Sequence, residues 1–159
     1  MIDEEELLKI DSNCIKYSKN EEYIVFSENG KKYTAQNEKR KKVLGFKVDG
    51  GYIKENRTRD KKCDYSLIVN DEICYLIELK ETDISSACEQ LLKTIESMLK
   101  KHSDMDKFLC RSIHSRINTH KIENENIKGL RKKLKKINKK FYNPKKSYIY
   151  KESKWEEII

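Results

Sequence analysis

The sequence predicts an α/β fold in which a mixed central β-sheet is flanked by helices. Two runs rich in β-forming residues, 64–70 and 73–80, are separated only by Asp71-Glu72, which has the length of a tight hairpin connection. A helical pattern over 84–101 and another apolar run over 107–113 follow. The order strand, helix, strand indicates a right-handed crossover, so we expect the last of these strands to lie parallel to the strand at 73–80.

The N-terminal part predicts short elements joined by tight turns. Asn29-Gly30 favours a hairpin, because both turn positions need a positive φ. Asp49-Gly50-Gly51 has turn chemistry too, and the wholly polar stretch 54–62 is expected to be a loop. The expected elements are a short acidic helix over 2–10 and strands over 14–17, 22–27, 32–35 and 43–48.

The C-terminal third predicts a helix with one apolar stripe and otherwise basic faces. The stripe consists of Ile127, Leu130, Leu134, Ile137 and Phe141. We expect it to pack inside the chain, and the alternative is the interface of a homodimer. A final strand is expected over 148–151, and residues 155–159 are expected to form a tail docked on the surface.

Length and composition indicate one domain over residues 1–159. The chain has 159 residues, within the usual size of about 100–200 residues for a domain. Its five cysteines show no Cys-x-x-Cys pair, which argues against a zinc or disulfide scaffold. No stretch approaches the roughly 18 apolar residues that span a bilayer, and the acidic start differs from a signal peptide. We therefore expect a cytoplasmic protein with no membrane partner.

Positive charge is concentrated towards the C-terminus. Residues 111–159 hold 15 Lys and Arg against 5 Asp and Glu, whereas residues 1–110 hold 20 against 22. This asymmetry is typical of a surface that binds a polyanion, most often nucleic acid, and the alternative is a solvated helix face. The basic helical region covers about 122–141, and its candidate phosphate contacts are Lys132, Lys133, Lys135 and Lys136.

The residues that indicate chemistry lie on the hairpin 64–80. Side chains alternate along a strand, so Glu78 and Lys80 share one face. Reflection through a turn centred near Asp71 places Asp64 opposite Glu78, and opposed residues have Cβ atoms about 4.5–5.5 Å apart. Two carboxylates this close repel each other unless a cation lies between them. We therefore expect Mg²⁺ or Mn²⁺ there, and the alternative is an ordinary ion-pair cluster at a strand end.

At these residues the sequence resembles the PD-(D/E)XK nuclease superfamily. Asp64 is followed by thirteen residues, by Glu78-Leu79-Lys80, and then by a predicted helix and strand. The resemblance covers 63–113, although Cys63 stands where many members have proline. It implies a restriction-endonuclease-like core over about 43–113. By that resemblance Asp64, Glu78 and the Leu79 carbonyl would bind the metal, and Lys80 would serve the attacking water.

Other residues are candidates for auxiliary roles. Asp49 is a candidate carboxylate, but turn formation explains it equally well. Gln90 falls where some members of the superfamily place a glutamine near the site, but an exposed helical Gln is the favoured interpretation. Arg111, His114 and Arg116 are expected to emerge from the end of the strand at 107–113 and to contact the phosphate backbone. A simple loop histidine is the alternative for His114.

The leading hypothesis from the sequence is a Mg²⁺-dependent endonuclease. DNA is the expected substrate, because most proteins of this kind cut DNA. One alternative is a catalytically inactive nucleic-acid-binding or regulatory protein with the same fold, against which the intact Asp64, Glu78 and Lys80 argue. Another is a structure-selective Holliday-junction-type resolvase that works as a homodimer.

Overall fold

The computed structural model describes residues 12–52, 62–79, 83–117 and 125–159. The helix expected over 2–10 lies outside these residues, as does most of the expected loop over 54–62. The described helices are α1 (Ile84–Lys101) and α2 (Glu125–Asn138). The described strands are β1 (Ile15–Tyr17), β2 (Tyr23–Glu28), β3 (Lys31–Gln36), β4 (Val43–Lys47), β5 (Tyr65–Val69), β6 (Ile73–Glu78), β7 (Phe108–His114), β8 (Tyr148–Glu152) and β9 (Lys154–Ile158).

Six of these strands form a mixed sheet in the order β1-β4-β5-β6-β7-β8. In this sheet the neighbouring pairs β1–β4, β4–β5 and β5–β6 are antiparallel. Strand β7 is parallel to both of its neighbours, β6 and β8. The predicted α/β fold with a mixed sheet and a parallel crossover partner is therefore confirmed. The predicted helix over 84–101 begins and ends at those residues.

Turn chemistry fixes the two predicted hairpins. Asn29 and Gly30 adopt φ values of 51° and 76° between β2 and β3. Asn70 and Asp71 both have a φ of 54° between β5 and β6. Asn, Asp and Gly tolerate this left-handed region better than other residues, so the local sequence sets the strand register.

A second, three-stranded sheet has the order β2-β3-β9. The expectation of a surface tail over 155–159 was wrong, because Lys154–Ile158 forms β9 and pairs in parallel with β3. Ser153, with a φ of 61°, turns the chain from one sheet into the other. Its N–H donates to the His114 carbonyl and its carbonyl accepts from the Lys32 N–H, so it bridges the two sheets.

The large sheet separates two cores. One face packs against the helices, and the apolar stripe of α2 supplies Ile127, Leu130 and Leu134 to this core. The stripe is therefore used inside the chain, as expected. The other face packs against the three-stranded sheet. No helix in the described ranges is both long and apolar enough to span a membrane.

Candidate active site

Asp64 and Glu78 lie side by side at one edge of the large sheet. The register of β5 and β6 pairs Tyr65 with Ile77, so Asp64, one residue earlier, lies opposite Glu78 as predicted. The Leu79 N–H donates to Asp64 Oδ2 at 2.7 Å. Asp64 is 1% exposed and Glu78 is 0% exposed. Two acidic side chains are thus buried together where β5 begins and β6 ends.

Alternation along β6 directs these side chains. Cys74 and Leu76 belong to the helix-side core, so Glu78 continues on the face that α1 covers. Ile77 and Leu79 belong to the core between the sheets. Burial of Leu79 on that side fixes the backbone whose N–H holds Asp64.

Helix α1 crosses over this edge of the sheet. Near its start, the Cys88 thiol hydrogen-bonds to the Tyr148 hydroxyl of β8. Further along, Thr94 Oγ1 accepts from the Cys63 N–H beside β5 at 2.8 Å. The helix therefore passes over the sheet from β8 to β5, on the face where Asp64 and Glu78 lie.

Gln90 lies on α1 between these two contacts. It is 8% exposed, so the favoured interpretation of an exposed helical glutamine was wrong. Its Oε1 atom is buried and accepts no hydrogen bond within the described ranges. A buried acceptor without a donor is costly, so this amide is a candidate contact for a group that enters the site.

The charges of the acid pair act on the neighbouring Cys63. Burial raises the pKa of the Cys63 thiol well above its ordinary value, and the charges of Glu78 and Asp64 raise it further. Lys62, which precedes Cys63, is 6% exposed. Lys62 belongs to the polar stretch expected to form a loop, and no feature of the sequence marks it as buried.

The strand β7 adds a polar group that the sequence analysis missed. Ser112 is the register partner of Glu78. Its Oγ lies 2.8 Å from the Tyr148 hydroxyl and 2.8 Å from His114 Nε2. Every second side chain of a strand lies on the same face, so Ser112 and His114 share the face of the buried Cys110. This alternation could have placed both residues on the face of Glu78.

Two of the expected phosphate contacts are buried. His114 is the last residue of β7 and is 1% exposed, so it is neither a loop histidine nor an exposed contact. Arg111 lies in the middle of β7 and is 2% exposed. It points to the other face of the sheet, where Nε and Nη2 donate to the two Glu157 carboxylate oxygens at 2.8 and 3.1 Å. Arg111 therefore does not emerge at the strand end as predicted, whereas His114 does lie at the strand end but is buried there.

The remaining candidates lie at the surface or near the pair. Asp49 belongs to a turn, in which the Gly51 N–H donates to the Val48 carbonyl. The Val48 N–H in turn donates to the Asp64 carbonyl at 2.9 Å. Arg116 is exposed after β7. On α2, Lys132, Lys135 and Lys136 are exposed and Lys133 is half-buried. Lys80 lies outside the described residues.

The donor set of the acid pair fits a hard divalent cation. In the described ranges no group of three or more His, Cys, Asp and Glu side chains is arranged to hold a metal ion. Mg²⁺, however, keeps several waters and is commonly held by one or two carboxylates together with substrate phosphates. Asp64 and Glu78 supply such oxygen donors.

Comparisons of the chain with models of protein families, with curated proteins and with solved structures found no match.

Proposed function

We propose that this protein is a metal-dependent nuclease that hydrolyses phosphodiester bonds in DNA by a PD-(D/E)XK-type mechanism. The observation that carries the proposal is the buried opposition of Asp64 and Glu78 across β5 and β6. Buried like charges are costly and are retained where a ligand of opposite charge or a reaction needs them. The order of strand, hairpin, strand, helix and strand around the pair supports the same proposal.

Each residue has a defined task in this proposal. Asp64 and Glu78 hold Mg²⁺ or Mn²⁺, and the Leu79 N–H orients one carboxylate oxygen of Asp64. The ion, when bound, polarises a phosphoryl oxygen and lowers the pKa of a coordinated water. Lys80 supplies a positive charge for the negative charge that gathers on the phosphate. The Leu79 carbonyl and the Gln90 amide are the auxiliary polar groups.

Cleavage assays test the proposal directly. The purified protein is incubated with plasmid, linear duplex, single-stranded and branched DNA, each with Mg²⁺, Mn²⁺ or EDTA. We expect cleavage that EDTA abolishes and that Asp64→Asn reduces strongly, because a metal ligand is lost. Asp106→Asn, which removes one carboxylate from an exposed position, is the matched control and should cleave as wild type does.

Calorimetry separates metal binding from catalysis. Titration of Mn²⁺ into wild-type protein should show binding that Asp64→Asn weakens strongly and Asp106→Asn leaves unchanged. An Asp64→Asn protein with wild-type affinity would move the metal site elsewhere.

The complete burial of both carboxylates favours one second candidate function. A closed acid pair suits a nucleic-acid-binding or regulatory protein that performs no hydrolysis. Wild-type protein that binds DNA but is inert on every substrate with every metal would favour this second function.

A further inference from the structure

Helix α2 presents a straight row of positive charge. Its apolar stripe faces the helix-side core, and exposed lysines cover the opposite side. We call these lysines the basic row: Lys128, Lys132, Lys135, Lys136 and Lys139, the last in the turn after the helix. They follow one another at steps of one, three or four residues, so they line one side of the helix.

Within the described residues, the basic row has no acidic partner. Ion pairs between described residues involve other lysines and arginines, and none of them joins a member of the row to an acid. The only acid of α2 in its first turn is Glu125. Five neighbouring ammonium groups of this kind attract a polyanion.

Hydrogen bonds at both ends of α2 fix its direction relative to the acid pair. At its start, Asn126 Nδ2 donates to Ser85 Oγ in the first turn of α1 at 2.7 Å. At its end, Asn138 pairs with both backbone groups of Phe108, the first residue of β7. The helix therefore starts at the edge where β6 and β7 end, which is the edge of Glu78, and runs to the opposite edge.

The row has a length that can be compared with a DNA duplex. From Lys128 to Lys136 the helix advances eight residues, about 12 Å at 1.5 Å per residue, and Lys139 follows in the turn after the helix. Base pairs of a duplex advance about 3.4 Å each along the axis. The row therefore covers about four base pairs, and it extends away from the acid pair in one direction only.

We infer that the basic row binds one flank of a DNA duplex, so that phosphates within about four base pairs are held on one side of the cleaved bond. This inference rests on the proposed nuclease function. It gives the enzyme an asymmetric footprint, in which the flank on one side is needed and the flank on the other side is dispensable.

Binding measurements test the row without reference to cleavage. A fourfold variant changes Lys128, Lys132, Lys135 and Lys136 to Gln. The control variant removes the same charge from exposed positions outside α2, by changing Lys16, Lys19, Lys39 and Lys100 to Gln.

Affinity for a labelled 20-base-pair duplex is measured by fluorescence anisotropy across a salt series. The slope of log K against log salt should flatten by about 0.9 for each lost contact, about 3.6 in the fourfold variant, and should change little in the control. Equal slopes in the two variants would overturn the inference.

Interference mapping tests the asymmetry. End-labelled duplex carrying randomly ethylated phosphates is cleaved, and the modifications that block cleavage are mapped relative to each cut. We expect the blocking phosphates to lie within about four base pairs on one side of the cut only, and this interference should disappear in the fourfold variant. Interference that is symmetric about the cut would overturn the inference but leave the nuclease proposal intact. Wild-type protein that cuts no substrate would overturn the nuclease proposal, and with it the part of the inference that concerns the cleaved bond. The salt slopes would still decide whether the basic row binds DNA.

Discussion

The two faces of the large sheet bury charge in opposite ways. On the face towards the three-stranded sheet, Arg111 and Glu157 form an ion pair of opposite charges. On the face beneath α1, Asp64 and Glu78 place two acids side by side. Arg111 on β7 is 2% exposed, and Asp64 and Glu78 on the neighbouring strands are 1% and 0% exposed, so the two clusters differ in charge rather than in burial.

The cluster around Arg111 satisfies its hydrogen bonds. In addition to Glu157, Arg111 donates through Nη1 to the carbonyls of Cys110 and Lys146. The Tyr33 hydroxyl donates to Glu157 at 2.7 Å, and burial followed by the Glu157 charge raises the pKa of Tyr33 well above its ordinary value. The phenol therefore stays protonated, and the cluster joins β7, β9 and β3 across the two sheets.

The acid pair brings two groups of like charge together. Burial, and then the charges of Glu78 and Asp64, raise the pKa of the neighbouring Cys63 thiol, and like charges in a buried site repel each other. We therefore expect the Arg111 cluster to stabilise the fold and the acid pair to oppose folding when no metal ion is bound. Substitutions at Arg111, Lys80 and Glu78 test this expectation.

The largest effect is expected from Arg111→Met. It leaves Glu157 buried without its cation, and breaking one partner of a buried pair typically costs about 3–5 kcal/mol. Urea denaturation should show this loss in the free energy of unfolding. Lys145→Met, at an exposed position, should change stability by less than about 0.5 kcal/mol.

A double variant makes the same test independent of folding failure. Arg111→Met combined with Glu157→Leu removes both charges, and apolar replacement of a whole buried pair is often neutral. The double variant should therefore recover much of the lost stability. If Arg111→Met alone unfolded at the wild-type urea concentration, the assignment of this cluster to stability would be wrong.

A smaller effect, on rate rather than on stability, is expected from Lys80→Ala. Lys80 lies outside the described residues, and the sequence pattern alone predicts that it shares the face of Glu78. The loss of a preorganised charge typically costs about 10²–10³ in rate. The DNA cleavage rate under saturating substrate should fall by that factor, while the melting temperature stays at the wild-type value. Lys100→Ala, on the exposed side of α1, is the control. Wild-type cleavage by Lys80→Ala would remove this lysine from the mechanism.

Local sequence signals predicted the part of the fold that carries the acid pair. The turn between β5 and β6 and the alternation along β6 depend on neighbouring residues, so the opposition of Asp64 and Glu78 could be derived from spacing alone. The pairing of β9 with β3 could not be predicted in this way. It joins residues that are far apart in the chain, such as Lys32 and Lys154, and short polar strands show little hydrophobic periodicity.

The same limit explains the errors at the site. Arg111 was expected at the surface because its charge suggested phosphate, and only the position of β9 reveals that Glu157 neutralises it. Burial of Gln90 likewise depends on where α1 crosses the sheet. Residues within one hairpin were predictable, whereas partners brought from distant segments were not.

The smallest effect is expected from Glu78→Gln, and its sign is the sharpest test of the contrast. The substitution keeps the shape of the side chain and removes one of two buried like charges, so repulsion with Asp64 falls. Relieving strain at a functional site commonly raises stability by about 0.5–2 kcal/mol. We expect a gain of about 1 kcal/mol in the free energy of unfolding without divalent ions, opposite in sign to Arg111→Met.

Mg²⁺ should then make the wild type more stable than Glu78→Gln. A ligand at 100 times its Kd stabilises the wild type by about 2.7 kcal/mol and should stabilise the variant far less. Urea denaturation of both proteins, with Mg²⁺ and with EDTA, measures these differences, and Glu89→Gln on the exposed side of α1 is the control. A loss of several kcal/mol in EDTA would mean that Glu78 is a structural group like Glu157, and the two faces of the sheet would no longer differ in purpose.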